Sequence, residues 1–474
     1  MFGCFYKNEL ENKMLGMTIE NIAAACEGTF VGDRDLVTKE IAGAVTDSRQ
    51  VQKDYLFIPI KGARVDGHDF IPQVFEKGAL VVLSDHALPE ETGPYILVSS
   101  TTEAMKKIAA FYRTQLSCKV VGITGSVGKT STKEMIASVL EQRYKVLKTE
   151  GNFNNEIGLP LTIFKIRAKH EVAVLEMGIS DFGEMHRLAA MARPDIGVIT
   201  NIGLCHLENL GTRDGILQAK TEMFDHLQVD GTVILNGDDD KLSTKKEVNG
   251  KPVIFYGVGA DSAFDIKKDI YATDIENHGL EGMRAKIHTP QGDFDAQIPI
   301  PGEHNVYNAL AGTAVGLQLG LSIREIAQGI ASVQTIAGRT NLLHVKGMTV
   351  IDDCYNANPV SMKASIDVLA HTSGRRIAVL GDMGELGAEE KELHRSIGKV
   401  VAASGIDALF CAGTLAEEYA SEAKANPECE VHYKKTREEM TEELLAYVKE
   451  GDTVLVKASH FMEFPKVVEA LTKE

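Results

Sequence analysis

Apolar runs alternate with helix-length stretches along the middle of the chain, from about residue 119. The runs are VVGITG, KVLKTE, VAVLEMG, IGVITNIG, TVILNGDD and VIFYG. Nearly continuous apolar strands separated by helical segments are typical of a parallel sheet with helices on both faces. Ligands bind such sheets at the carboxyl ends of the strands, where this chain carries the polar clusters TGSVGKT, EMG and TNIGLCH. The pattern predicts a site at that edge.

Two further series of runs flank this region. From about residue 335 the runs MTVIDDCYN, RRIAVLGDMGE, DALFCAG and DTVLVKASH indicate a smaller doubly wound domain. Before residue 119, TDSRQV, DYLFIPIKGARVDGHDFI and GALVVLSD indicate a compact α/β domain. A chain of 474 residues is too long for one ordinary core. We therefore predict an α/β protein with three domains, at residues 1–115, 116–335 and 336–474.

Composition narrows the class of partner. The chain is 44% hydrophobic and 25% charged, as in soluble globular proteins, and its net charge of −17 argues against nucleic acid or an anionic membrane. No apolar run reaches the length of a membrane span, and MFGCFYKNELENK is no signal peptide. The first residue of the natural protein stays open among Met1, Met14 and Met17. Seven scattered cysteines without a CxxC pair predict reduced thiols in a cytoplasmic protein.

The stretch GITGSVGKTSTKEM, Gly122–Met135, predicts a phosphate-binding loop although Ile123 stands where the usual pattern has glycine. It follows a strand and precedes a helix, so its backbone amides and the helix N-terminus would face phosphates. Lys129 would reach the β- and γ-phosphates, and the Thr130 hydroxyl would hold Mg²⁺. No NKxD motif follows, which leaves a kinase or a ligase. The predicted ATP-binding residues of the loop are Thr124, Gly125, Ser126, Val127, Gly128, Lys129, Thr130 and Ser131.

Other polar residues near strand ends are open to two interpretations on the residues alone. Glu176 and His206 are suitable metal ligands but are also ordinary structural residues. Lys220 lies on a predicted helix, where a lysine is ordinarily solvated. The asparagines of TEGNFNNEIGLP, Thr149–Pro160, could bind a sugar or a peptide, or form a plain loop.

Taken together, the motifs resemble the Mur ligase superfamily. They are TGSVGKTSTKE, TEGNFNNEIGLP, LEMG, TNIGLCHLE, AKTEMF, LNGDDD, GEHNVYNALA and DDCYNANP, in the family's order, and the likeness runs from about residue 15 to the end. The family's phosphate loop is shortened in the same way. The resemblance implies a UDP-sugar-binding domain, a central ATPase and a Rossmann-like domain that closes over the site. It also implies an ATP-dependent amide ligase that joins UDP-MurNAc-tripeptide and D-alanyl-D-alanine, two substrates of cytoplasmic peptidoglycan precursor synthesis.

The same resemblance assigns residues, and these assignments are expectations. The catalytic set is Lys129, Glu176, His206 and Lys220. Two Mg²⁺ ions would be held by Thr130, Glu176, His206 and, if carbamylated, Lys220. ATP would also be bound by Asn308 at the adenine, Arg339 at the phosphates and Asp353 at the ribose. UDP would be bound by Ser48, Arg49, Asn152 and Asn154, near the matching stretch Lys61–Phe70. The acceptor would be bound by Tyr355, Asn356 and Asn358.

Alternatives remain within and outside the family. A folylpolyglutamate synthase or a ligase for a different amino acid is disfavoured by YNANP and by the TDSR-containing first domain. A nucleotide-gated regulatory protein would leave that first domain unexplained. His460 stands where the family commonly has arginine, so it is given no role. We expect a monomer, and the third residue of the tripeptide is not legible from the sequence.

Overall fold

The computed structural model describes residues 14–473, so Met1, Cys4 and the stretch expected not to be a signal peptide lie outside the described residues. Three mixed or parallel sheets and their helices follow one another along the chain, which confirms the α/β prediction. The sheets fall within the three predicted segments, whose boundaries stay predictions. Within residues 14–473 no helix has both the length and the apolar character that crossing a membrane requires.

The first sheet has five strands in the order β1-β5-β4-β3-β2, all parallel except the β1–β5 pair. Its strands are β1 Thr29–Val31, β2 Gly43–Val45, β3 Tyr55–Phe57, β4 Val81–Ser84 and β5 Tyr95–Leu97. Its helices are α1 Ile19–Ala25, α2 Ile71–Glu76 and α3 Thr101–Thr114. Short 3₁₀ turns lie at Arg34–Leu36, Ser48–Gln50, Gly67–Phe70 and Glu90–Thr92.

Helix α3 connects the first sheet to the central one. The Ser100 hydroxyl caps it by accepting from the Glu103 amide, and its buried residues recur at helical spacing. These buried residues include Ala104, Met105, Ile108, Ala109 and Tyr112. The Tyr112 hydroxyl donates to the Ile166 carbonyl at 2.6 Å, a bond between the first and central segments.

The central sheet has nine strands in the order β16-β15-β14-β13-β10-β9-β6-β8-β7. Its strands, with the separate β11–β12 hairpin, are β6 Lys119–Thr124, β7 Val146–Lys148, β8 Val172–Glu176, β9 Ile196–Ile199, β10 Thr232–Asn236, β11 Glu247–Val248, β12 Lys251–Pro252, β13 Ile254–Val258, β14 Ile270–Asn277, β15 Met283–Thr289 and β16 Gly292–Ile298. The pairs up to β13–β14 are parallel as predicted, whereas β14–β15 and β15–β16 are antiparallel. The sequence analysis did not predict this antiparallel extension.

Helices cover both faces of the central sheet. They are α4 Lys129–Leu140, α5 Gly158–Ile163, α6 Glu184–Ala192, α7 Leu207–Leu210, α8 Arg213–Thr221, α9 His304–Gln318 and α10 Ile323–Ala331, with 3₁₀ turns at Glu222–His226, Leu242–Thr244 and Gly279–Glu281. Helix α4 leaves the phosphate loop and packs against α9 and α10. Its Met135, Ile136, Val139 and Leu140 side chains are buried there, so the loop rests on a tightly packed base.

The third sheet has six strands in the order β17-β18-β22-β19-β20-β21, parallel except for the β17–β18 pair. Its strands are β17 Asn341–Val345, β18 Met348–Asp352, β19 Arg375–Gly381, β20 Ala408–Ala412, β21 Glu430–Lys434 and β22 Asp452–Lys457. Its helices are α11 Pro359–Ala370, α12 Glu390–Ala403, α13 Ala416–Ala423, α14 Arg437–Tyr447 and α15 Pro465–Thr472, with 3₁₀ turns at Gly387–Glu389 and His460–Met462.

Replacing Gly329 with alanine tests the packing beneath the phosphate loop. A Cβ at this position of α10 would lie 2.4 Å from the Val139 Cα of α4, a backbone atom that cannot move aside. We expect Gly329→Ala to lower the free energy of unfolding by about 1–3 kcal/mol, measured by urea denaturation. The control is Gly312→Ala on α9, whose Cβ would meet movable side-chain atoms of Met135 and Val139 at 3.2 and 3.3 Å and the nearest backbone atom, the Met135 carbonyl oxygen, at an ordinary contact distance of 3.6 Å. Equal effects of the two changes would contradict the packing argument.

Candidate active site

The phosphate loop, residues 124–131, lies between β6 and α4 and needs glycine at two points. Gly125 has φ +151°, and a Cβ there would lie 2.0 Å from the Thr200 hydroxyl oxygen. Gly128 has φ +84° and begins α4. Both values lie in the region that residues with a side chain rarely adopt. Ile123 is a buried strand residue, so the glycine missing from the standard pattern is not needed for this turn.

The residues after β9 hold the loop in place. The Thr200 hydroxyl and the Asn201 amide nitrogen donate to the Val127 carbonyl at 2.7 and 2.9 Å, and the Asn201 amide oxygen accepts from the Val127 N–H at 2.9 Å. The Gly203 N–H also donates to the Ser126 hydroxyl. The backbone of Val127 is therefore held at both its N–H and its carbonyl by residues that follow the neighbouring strand.

Lys129 folds back over this loop. Its ammonium donates to the Gly125 carbonyl at 2.8 Å, which places the charge above the concave side of the loop. A phosphate bound by the loop amides would meet this ammonium directly.

Glu176 ends β8 and is almost completely buried. Its Oε1 accepts from the Asn154 amide at 2.8 Å, and its backbone N–H donates to the Thr149 hydroxyl at 3.0 Å. Its Oε2 is buried without a hydrogen-bond partner among the described residues, and the Lys133 ammonium stands 3.9 Å away. An oriented carboxylate with one free oxygen is the donor that Mg²⁺ prefers. The site therefore fits the predicted metal at Glu176.

Lys220 lies on α8, where the sequence alone suggested a solvated side chain, yet it is 1% exposed. Burial lowers its pKa to about 7, and the neighbouring Lys129 charge adds to this effect. The amine is therefore substantially neutral near pH 7, unlike an ordinary lysine.

His206 completes a cluster with Lys129 and Lys220. Burial lowers the pKa of His206, and the charges of Lys220 and Lys129 act in the same direction, whereas Glu385 opposes them. The His206 Nδ1 lies 2.9 Å from the Glu385 carboxylate, which belongs to the third segment. The cluster thus joins the central sheet to the domain beside it.

A cavity of about 180 Å³ lies on one side of the phosphate loop, between the central and third segments. Asn308 is fixed there because it accepts from the Thr132 hydroxyl at 2.7 Å and donates to Asn305 at 2.8 Å. The lining residues that bear on function are Val127, Gly128, Ser131, Asn308, Arg339, Asp353 and Lys457. Five of the eight predicted loop residues do not line this cavity: Thr124, Gly125 and Thr130, together with Ser126 and Lys129, which lie on the other side of the loop.

Asp353 is held at the wall of this cavity. Its carboxylate accepts from the Lys457 ammonium at 2.6 Å, from the Ser365 hydroxyl at 2.5 Å and from the Thr340 N–H at 3.2 Å. Burial works to raise its pKa, but Lys457 and the hydrogen bonds outweigh it, so the pKa is lowered and the group stays ionised. An ionised acid at a strand end suits ribose hydroxyls, and the ribose role of Asp353 stays a prediction.

A second cavity, of about 320 Å³, lies on the other side of the loop. It is bounded by Ser126, Lys129, Cys205 and His206 of the central segment and by Asn356, Asn358, Glu385, Ser459 and His460 of the third. Asn358 also caps α11, where its side chain accepts from the Ser361 N–H. Tyr355 stacks under the Arg339 guanidinium at 4.1 Å and lies 5.8 Å from the His460 ring. Two predicted acceptor residues thus line this cavity, and Tyr355 lies beside it.

The predicted UDP residues are not brought together. Arg49 points outward, 84% exposed, and pairs with Asp47 at 2.7 Å. The Asn154 amide donates to the Glu176 carboxylate, and Asn152 lies near Tyr355. A cavity of about 700 Å³ lies close to Ser48 and Arg49 but is lined by their neighbours Thr46, Asp47, Gln50, Lys165 and Arg167. The four UDP assignments stay predictions.

Several site residues were not predicted from the sequence. Thr200 and Asn201 lie inside TNIGLCH, a cluster that the strand-end rule had already marked. Lys133, Lys457 and Glu385 had no signal, because a single charged residue on a helix, strand or loop is usually solvated. Their partners Glu176, Asp353 and His206 identify them only in three dimensions.

Comparison with known families covers all three segments. Residues 40–113 match the Mur ligase family catalytic domain, residues 123–316 the Mur ligase middle domain, and residues 338–460 the Mur ligase glutamate ligase domain. The chain belongs to the Mur ligase family. It is 39% identical to a UDP-N-acetylmuramoyl-tripeptide–D-alanyl-D-alanine ligase of Bacillus subtilis, over 97% of this chain and 99% of the relative. A ligase of the same name from Escherichia coli is 34% identical over 92% and 96%.

Solved Mur ligase structures agree with this assignment. A MurF crystal structure from Acinetobacter baumannii superposes with a TM-score of 0.86 at 31% identity, over 96% of this chain and 98% of that one. The MurF ligase of Thermotoga maritima, solved in complex with ADP, gives a TM-score of 0.78 at 31% identity over 90% and 96%. These likenesses confirm the predicted family and its three-part Mur ligase fold.

Replacing Lys220 with methionine tests the burial of this amine. Below pH 7 the lysine is protonated in both the folded and the unfolded chain, so burial of its charge lowers the free energy of unfolding by the full amount. Above pH 10.5 the lysine is neutral in both states, and this destabilisation vanishes. In carbonate-free buffer we expect Lys220→Met to raise the free energy of unfolding by roughly 2–4 kcal/mol at pH 7, and by less at pH 9. Urea denaturation at both pH values measures this. Lys169→Met, at an exposed lysine, serves as the control, and a pH-independent gain for Lys220→Met would refute the assignment.

Proposed function

We propose that this Mur ligase joins D-alanyl-D-alanine to UDP-MurNAc-tripeptide at the expense of ATP. The observation that carries the proposal is the pair of cavities that share the phosphate loop. Val127, Gly128 and Ser131 face one cavity, whereas Ser126 and Lys129 face the other. A nucleotide in the first would direct its terminal phosphate past the loop into the second, where the ligation would occur. The names of the two curated relatives supply the identity of the substrates.

The nucleotide is held by groups that suit its three parts. Asn308, whose amide keeps one N–H and one acceptor lone pair beyond its bonds to Thr132 and Asn305, would meet the adenine edge, and Asp353 would accept from the ribose hydroxyls. Arg339, stacked on Tyr355, faces the phosphates from the third segment. The loop amides and the α4 N-terminus receive the β- and γ-phosphates.

The ligation then proceeds in two steps. The terminal carboxylate of the tripeptide attacks the γ-phosphorus, the bond to the bridging oxygen breaks, and ADP leaves behind an acyl phosphate. The amine of D-alanyl-D-alanine attacks the acyl carbon, passes through a tetrahedral intermediate, loses a proton and expels phosphate. Lys129 offsets the repulsion between the incoming carboxylate and the phosphate, and His206 lines the same cavity.

Mg²⁺ would be held by Glu176, by Thr130 and His206, and by a carbamylated Lys220, with two ions as the sequence predicts. The free Oε2 of Glu176 supports this proposal. When bound, the metal would supply charge neutralisation to the phosphates. Lys220 can become a carbamate because its amine is substantially neutral near pH 7 and only a neutral amine reacts with CO₂.

UDP would occupy the cavity of about 700 Å³ between the first and central segments, where Lys165 and Arg167 supply positive charge. The tripeptide would then extend past Asn152 and Asn154 toward Glu176. We place the reaction in the cytoplasm, where ATP is abundant. The six described cysteines, none of which forms a disulfide, are consistent with a reducing compartment.

Phosphate release with product mass tests the function directly. The full chain is incubated with ATP, Mg²⁺ and UDP-MurNAc-tripeptide, with and without D-alanyl-D-alanine. We expect phosphate release that depends on both partners and a pentapeptide product. Single amino acids, including glutamate, serve as competing acceptors. Release without a pentapeptide, or equal use of glutamate, would reject the proposed acceptor, and release that ignores both partners would favour a nucleotide-gated regulator.

Lys129→Ala tests the charge above the phosphate loop. We expect at least a hundredfold lower turnover, because a preorganised cation at the developing charge is lost. The thermal unfolding midpoint should not fall, because the change also removes a charge that repels Lys220. Lys169→Ala is the matched control, since Lys169 is exposed and precedes β8 at the opposite edge of the sheet. Turnover within a few-fold of the parent chain would remove Lys129 from the mechanism.

A further inference from the structure

Three metal-binding side chains meet in the first segment, away from the ligation site. His68 lies in the 3₁₀ turn Gly67–Phe70, and Asp85 and His86 directly follow β4. Their potential ligand atoms all lie within 4.8 Å of one another. None of the three lines the large cavity near Thr46, and the proposed ligation uses none of them.

The proton on His68 is assigned by its neighbour Asp66. The Asp66 Oδ1 accepts from the His68 backbone N–H at 3.0 Å and lies 2.7 Å from the His68 ring Nδ1. A neutral imidazole carries one proton, so donation from Nδ1 leaves a bare lone pair on Nε2. The His68 side chain is 7% exposed, and its Nε2 is buried with no hydrogen-bond partner among the described residues.

The group that faces this lone pair is another acceptor. The Asp85 Oδ1 lies 3.4 Å from the His68 Nε2. Two unprotonated acceptors at this distance repel each other unless a cation lies between them. Two ligands of a tetrahedral zinc ion, with bonds of about 2.1 Å, are separated by about 3.4 Å. The spacing of the two atoms is therefore that of two neighbouring zinc ligands.

We infer that His68, Asp85 and His86 bind a divalent transition-metal ion of the zinc type. The His86 Nδ1 lies 2.7 Å from Asp85, and its side chain is 58% exposed, so it can turn to the ion. Asp66 orients His68, as carboxylates commonly do for metal-binding histidines. Two imidazoles and one carboxylate suit Zn²⁺, Ni²⁺ or Cu²⁺ better than Mg²⁺. Water completes the coordination, because Asp85 and His86 face solvent.

The ion would join two parts of the first segment that are distant in sequence. The turn carrying His68 follows the loop Lys61–Asp66, and Asp85 and His86 follow β4. A bond from each to one ion fastens that loop to the carboxyl edge of the sheet. The ion would thus stabilise the first segment as a structural cross-link.

Zinc titration of the full chain tests the inference. Chelator-treated, dialysed protein is titrated with Zn²⁺ by calorimetry, and Co²⁺ absorption in the visible range reports four-coordinate binding. We expect the parent chain to bind one more tight equivalent than His86→Asn or His68→Asn. Asp66→Asn should retain the equivalent with roughly 10–100-fold lower affinity. His278→Asn, at a histidine paired with Glu276 elsewhere, is the matched control and should titrate as the parent does.

The outcomes separate clearly. The pair His186 and His226, whose ring nitrogens lie 3.0 Å apart, can bind zinc as well. Both histidines are present in every variant, so they do not affect the difference in zinc equivalents between the parent and a variant. His86 is exposed, so His86→Asn remains informative even if His68→Asn does not fold. An equal number of tight equivalents in the parent and in His86→Asn would overturn the inference. So would absence of zinc binding in the parent.

Discussion

Repulsion among basic side chains at one edge of the central sheet is the constraint on which the site depends. Burial lowers the pKa of Lys220 and of His206, and the Lys129 charge acts in the same direction on both, in a chain whose net charge is −17. Like charges repel strongly where water is excluded, so this edge is unfavourable until an anion or a chemical change at Lys220 relieves it. The negative charge of Glu176 does not offset this repulsion, because the Lys133 ammonium already lies 3.9 Å from the Glu176 carboxylate. Attraction for phosphates and carboxylates is therefore built into the folded chain.

The third segment completes what the central segment begins. Arg339 lines the cavity proposed for the nucleotide and stacks on Tyr355. Asp353 is held by Lys457, and Glu385 reaches His206 across the boundary. Each of these contacts pairs a charged group with a partner that fixes its orientation. The proposed ligation therefore requires the central and third segments to be correctly positioned against each other. The phosphate loop lies on the central segment, and the residues proposed to bind the acceptor lie on the third.

Strand-end reasoning found the parts of the site that backbone topology determines. Thr124, Glu176 and Asp353 lie where their strands end, as the apolar runs predicted. The antiparallel strands β14–β16 were missed because their exposed and buried positions alternate and produce no continuous apolar run. Lys133 and Lys457 were missed because burial of a lysine beside a carboxylate depends on packing between distant segments. Ser48 and Arg49 show the reverse: their motif gave a site, but their side chains lie outside the neighbouring cavity.

Helix α3 makes the first two segments one body. Its buried face contributes to a continuous apolar cluster that extends from Met14 to Phe255, whereas the third sheet has two clusters of its own. Groups that share a core lose their structure together, so unfolding of the chain should proceed in two cooperative units rather than three. A protein with three large sheets would then have a single principal joint, between the part that carries the phosphate loop and the third segment. Amide exchange would be expected to report the same two units.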